Sequence, residues 1–166
     1  SYLWEYVLSP EMLLSIFQRY ISKQTTESIS LVNGKKKTTK KTILIFPRYH
    51  QLDVVEKLVA DTKKTKEGRN YLLQHSAGSG KSNSIAWTAY RLASLHDEMN
   101  RAIFASVIIV TDRTVLDAQL QDTVSSFDHT LGTVETIGEG KSSRDLKDAI
   151  NNGSRIIVTT LQKFPV

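Results

Sequence analysis

At 166 residues and 18.7 kDa, with 40% hydrophobic and 23% charged residues, the chain has the make-up of one folded globular domain. It has no cysteine, which excludes a disulfide scaffold, a thiolate zinc site and a thiol nucleophile together. The net charge of +5 is local: Lys35, Lys36, Lys37, Lys40 and Lys41 lie within seven residues, and without them 17 basic residues face 17 acidic ones. That tract is either a solvated loop or a nucleic-acid contact; the two readings stay open. The longest apolar stretch, residues 102–110, is well short of the roughly 20 residues that cross a bilayer. No basic-then-apolar leader opens the chain, which starts on Ser1. No membrane association is expected, and the chain reads as a cytoplasmic piece of a longer protein.

Two regions differ in pattern. Ser9-Pro10, a cap residue and a first-turn proline, opens an amphipathic helix carrying Met12, Leu13, Ile16, Phe17, Tyr20 and Ile21 at helical spacing. The apolar runs 28–32 and 42–46 flank Asn33-Gly34 and predict a hairpin, with the lysines lengthening its loop. From Pro47 on, helices and short apolar strands alternate. A helix near Pro47 carries Leu52, Val55, Leu58 and Val59, and a short strand follows at 71–74. Then come a helix at 81–96, a strand at 106–111 and a helix at 113–126. A strand at 133–137, a helix at 143–150 and a strand at 155–160 close the series. Asn151-Asn152-Gly153 supplies the stop before the last strand. This alternation predicts an α/β fold with a largely parallel sheet and flanking helices.

The sharpest motif is Gly78-Ser79-Gly80-Lys81-Ser82, placed between the predicted strand 71–74 and the next helix. Glycines let backbone amides approach phosphate oxygens, and a helix start adds an anion nest. Ser76, Ala77, Gly78, Ser79 and Gly80 would form that nest. Lys81 would neutralise the β- and γ-phosphates and carry the catalytic charge, while Ser82 would hold Mg2+ through its hydroxyl. His75 stands where the full pattern has glycine. The bland alternative is a Gly-Ser turn ahead of a helix. Upstream, Arg48-Tyr49-His50-Gln51 offers an amide able to pair with the adenine edge and a guanidinium able to stack on the ring.

Arg48-Tyr49-His50-Gln51 and Gln74 through Ser82 resemble the Q motif and motif I of superfamily 2 helicases and translocases. Val107 through Arg113, with Leu116 and Gln119, is similar to motif Ia, and Ile156 through Phe164 to motif Ib. The set resembles the restriction (motor) subunit of type I restriction–modification enzymes, over residues 46–164. The resemblance implies a RecA-like, P-loop NTPase fold, with residues 1–46 a connecting helix and basic hairpin. Residues 47–166 would be the first half of the N-terminal motor domain, truncated before the Walker-B strand. It implies ATP and Mg2+ as cofactors, with Arg48 and Gln51 at the adenine. It also implies double-stranded DNA near Thr111, Arg113, Thr160, Gln162 and Lys163, at the carboxyl ends of strands where ligand loops gather. Methylation and specificity subunits would be the protein partners, and restriction of foreign DNA the activity.

The Asp-Glu-x-His segment that such motors use lies beyond Val166, and neither the second motor domain nor the nuclease is represented. This stretch alone is therefore expected to bind nucleotide weakly and not to turn it over. His50, His75, His96 and His129 show no metal-ligand spacing. Another superfamily 2 helicase and a non-motor nucleotide-binding switch are the alternative functions.

Overall fold

The computed structural model describes the chain except residues 1, 33, 34, 67, 68, 113, 128–132, 165 and 166; for 26–32, 35–37 and 114–119 it describes backbone only. The chain forms two compact units, Ser1–Arg48 and Tyr49–Val166.

The first unit opens on a π-helical stretch, Tyr2–Val7, and continues into α1, Pro10–Arg19. The Ser9 hydroxyl accepts from the Met12 amide at 3.3 Å, and Pro10 takes the first helical position, where no N–H is needed. Ile16 and Tyr20 turn inward and are fully buried, whereas Leu14 and Phe17 stay exposed. Strands β1, Ser22–Val32, and β2, Lys35–Ile45, then pair antiparallel from Ser22↔Ile45 to Val32↔Lys35. The expected hairpin is present, but the expected loop is not: Lys35 through Lys41 lie inside β2. The pairing runs up to both neighbours of Asn33-Gly34, so continuous backbone pairing outweighs the repulsion among successive lysines. Lys40 and Lys41, successive residues of β2, fall on opposite faces of the ribbon.

The second unit contains α2 (Tyr49–Thr65), α3 (Lys81–Ala93), β3 (Val107–Thr111), α4 (Thr114–Ser126), β4 (Val134–Ile137), α5 (Ser143–Asn151) and β5 (Ile156–Thr160). A single 3-10 turn, Leu161–Lys163, follows. The sheet is parallel with order β3-β5-β4, so the last strand inserts between the two earlier ones. Its central place explains its sequence. Every residue of β5 is buried, and Ile156-Ile157-Val158 is the continuous apolar run that a strand covered on both faces requires. On one side Ile157 joins Ile137, Leu146 and Ala149 in a cluster under α5. Elsewhere in this unit Trp87, 1% exposed, meets Phe127 edge-on with ring centroids 5.5 Å apart.

Polar anchors fix the helices. Ser142 and Asp145 form a reciprocal capping box at the start of α5. The Arg155 guanidinium donates to the carbonyls of Phe104 and Ala105, at 3.1 and 3.2 Å, and to that of Ala93. Arg91 of α3 pairs with Glu56 of α2, their side chains only 10% and 18% exposed, so this pair ties the two helices together.

One expected element is missing. Residues 71–76 form no strand, and Tyr71, Leu72 and Leu73 are 39%, 93% and 44% exposed. Their apolar, β-favouring character is real, but a strand exists only through a neighbouring ladder. Among the described residues no strand forms a ladder with them. The α/β architecture with parallel sheet, flanking helices and an antiparallel hairpin otherwise stands, and it is consistent with part of a RecA-like fold.

Candidate functional site

The phosphate loop, residues 75–82, leads into α3. Gly78 and Gly80 take φ of +72° and +83°, left-handed values that a side chain would strain. Gly80 is required for a second reason. A Cβ there would lie 2.4 Å from the Gln51 amide nitrogen, a clash with a side chain that is itself buried. The helix starts at once on Lys81, so its first amides, which have no intrahelical acceptor, open toward the loop.

The start of α2 holds the loop's far end. The Gln51 amide nitrogen donates to the Gly80 carbonyl at 2.9 Å and to the Ser79 carbonyl at 3.3 Å. His50 Nε2 lies 3.2 Å from the same Ser79 oxygen; a carbonyl only accepts, so Nε2 carries the proton. The His50 ring is bracketed edge-to-face by Tyr49 and His75, with centroid separations of 5.6 and 5.1 Å. The bulk of His75 is thus accommodated against another imidazole instead of crowding the loop. Lys81 Nζ donates to the Ser76 carbonyl at 2.8 Å and to that of His75 at 3.4 Å. Within the loop the Ser79 hydroxyl is buried and has no partner among the described residues.

These features fit a nucleotide phosphate chain. Two left-handed glycines, a helix start, a lysine ammonium and an unsatisfied hydroxyl are the donor set that oxyanions need. Ser82 follows Lys81 in the first turn of α3, where its hydroxyl suits a magnesium ion. No cluster of three or more His, Cys, Asp or Glu side chains able to hold a metal occurs among the described residues.

The expected residues divide into groups. Ser76, Ala77, Gly78, Ser79, Gly80, Lys81 and Ser82 are contiguous around the loop, and Gln51 joins them. Gln51 is 2% exposed and its amide nitrogen is engaged by loop carbonyls, so an adenine would have to draw that donor away. Arg48 closes the first unit. At the strand ends, Thr111 is partly exposed, whereas Thr160 is only 4% exposed and does not present its side chain to solvent. Gln162 donates to the Asp112 carbonyl at 3.3 Å, and Lys163 to the Lys141 carbonyl at 2.6 Å. Arg113 lies outside the described residues. Residue-type reasoning passed over His50; the signal was its place beside Gln51 in the segment read as the adenine side of the site.

An α/β unit whose glycine loop opens a helix beside a parallel sheet is consistent with part of a RecA-like fold. Residues 50–166 match the SWI2/SNF2 ATPase family, and the chain belongs to that family. Over 159 residues it is 30% identical to the type I restriction enzyme HindI endonuclease subunit of Haemophilus influenzae. That match covers 95% of this chain and 14% of the subunit, so the chain spans about a seventh of that relative's length. No solved structure matches the chain. No helix among the described residues is long and apolar enough to cross a membrane.

Proposed function

We propose that this chain is the ATP-binding part of an ATP-dependent double-stranded DNA translocase in a type I restriction endonuclease, acting in restriction of foreign DNA. The observation that carries the nucleotide part is the loop opening α3, with Gly78 and Gly80 left-handed and Lys81 at the helix start. The restriction part rests on the similarity to the HindI subunit over nearly the whole of this chain. Lys81 leaves its loop carbonyls for the β- and γ-phosphates, Ser82 holds Mg2+, and Ser76 through Gly80 wrap the phosphate chain. Hydrolysis releases the γ-phosphate to water, and the protein's part is to position and neutralise charge. Thr111, at the end of β3, and Gln162 and Lys163, in the turn after β5, suit contacts to DNA phosphates that read no sequence, and Arg113 suits them by its residue type. Arg48 and Gln51 remain the adenine-side residues of the proposal. Methylation and specificity subunits are the partners, and the cytoplasm is the site of action.

The test is ATP hydrolysis by the intact parent protein that carries this stretch, with and without double-stranded DNA, beside a Lys81→Ala control. The proposal requires turnover that duplex DNA raises at least tenfold and that Lys81→Ala abolishes. Nucleotide binding without DNA-dependent turnover would favour the non-motor switch. DNA-stimulated turnover that never supports cleavage with methylation and specificity subunits would favour another superfamily 2 translocase, a class to which the SWI2/SNF2 match also points.

A further inference from the structure

His50 touches both ends of the phosphate loop. Its ring packs edge-to-face on His75, where the loop begins, and its Nε2–H meets the Ser79 carbonyl, four residues on. A trans peptide is planar, with its C=O and N–H pointing in opposite directions. A donor that holds the Ser79 oxygen on the α2 side therefore turns the Gly80 N–H the other way. Gln51 shares the Ser79 oxygen at 3.3 Å and acts on the next peptide too: together with the Asn83 and Ser84 amides it holds the Gly80 oxygen, which orients the Lys81 N–H. Two neighbouring side chains on the first turn of α2 thus set two successive amides of the nest. Their carrier is itself fixed, because α2 is tied to α3 by the Glu56–Arg91 pair.

We propose that His50 is a positioning residue of the phosphate loop: its bond to the Ser79 carbonyl, with the ring braced by His75, aims the Gly80 amide at the phosphates of a bound nucleoside triphosphate. The inference rests on reading the loop as the nucleotide site. It also gives a reason for His75 at the first loop position, where a glycine or alanine would leave the His50 ring without its brace. Amides oriented in advance need no reorganisation when the anion arrives, so the effect falls on affinity for the phosphate chain.

Binding of Mg·ATP to the full chain separates a donor role from simple packing. His50→Phe keeps the edge-to-face ring contacts and removes the donor; we expect it to weaken binding roughly fivefold to tenfold. His50→Gln places an amide N–H near the same reach and is expected to stay within about twofold of the parent. His75→Ala removes only the brace and is expected to lie between them. His50→Phe binding as tightly as the parent, while Lys81→Ala loses binding, overturns the proposal. Equal losses in His50→Phe and His50→Gln also overturn it, because the ring and not the donor would then matter. Unchanged binding in Lys81→Ala instead removes the nucleotide reading on which the proposal stands.

Discussion

Residues 71–74 and 156–160 are both short apolar runs next to a functional loop, and their fates differ. Ile156-Ile157-Val158 sits at the centre of the parallel sheet with no exposed surface, while Leu72 is 93% exposed and its segment joins no ladder among the described residues. Composition separates them only in part: residues 156–160 are all β-branched and residues 71–74 are not. The difference lies in the ladder: β5 has β3 on one edge and β4 on the other, so its backbone groups are satisfied and its side chains are covered on both faces. A strand is a property of its neighbours, and propensity is only permission to form one.

That contrast can be broken most forcefully in β5. Ile157→Ala removes a fully buried side chain from the cluster beneath α5, and we expect a loss of about 3 kcal/mol in urea unfolding of the full chain. Next comes the tie between α2 and α3. Glu56→Gln leaves the Arg91 guanidinium, mostly buried, without its counter-charge; a loss of roughly 2–3 kcal/mol should appear in the same assay. A smaller effect follows from the cap of α5. Ser142→Ala removes the hydroxyl that accepts from the Arg144 amide, for about 1 kcal/mol.

The same cap has a pH signature. The Ser142 backbone N–H and then its hydroxyl donate to the Asp145 carboxylate and hold its pKa below the ordinary aspartate value. A depressed folded-state pKa contributes stability above the unfolded value and loses it as pH falls through the folded one. Helix α5 should therefore loosen in acid, and Asp145→Asn should remove that part of the acid dependence, read by circular dichroism between neutral pH and about pH 3. At the bottom of the scale, Leu72→Ser should change stability by no more than about 0.5 kcal/mol. Hydrogen exchange sharpens the contrast: β5 amides should be among the slowest and those of residues 71–76 among the fastest.

Much of the fold was legible because it depends on local signals. Ser9-Pro10 and Asn152-Gly153 mark their helix ends through signals within a few residues, and each is where it was expected; the Ser142–Asp145 box is an equally local signal that was not read. The order β3-β5-β4 was not legible, since nothing in a strand's own residues names its neighbours. The lysine tract was placed in a loop because five charges in seven residues argue against pairing. The register up to Val32↔Lys35 carries them into β2 nonetheless. At the candidate site, the loop glycines and Lys81 could be read from type and spacing. The hold of His50 and Gln51 on two loop carbonyls could not, because it spans 28 and 29 residues of sequence and joins a helix start to a turn.

The central claim is that residues 75–82 bind the phosphates of a nucleotide. Calorimetric titration of the full chain with Mg·ATP, against Lys81→Ala under the same conditions, tests it most directly. Saturable binding by the parent, weakened at least tenfold in the variant, is the predicted result. Equal affinities, or no binding by a folded parent chain, would contradict it.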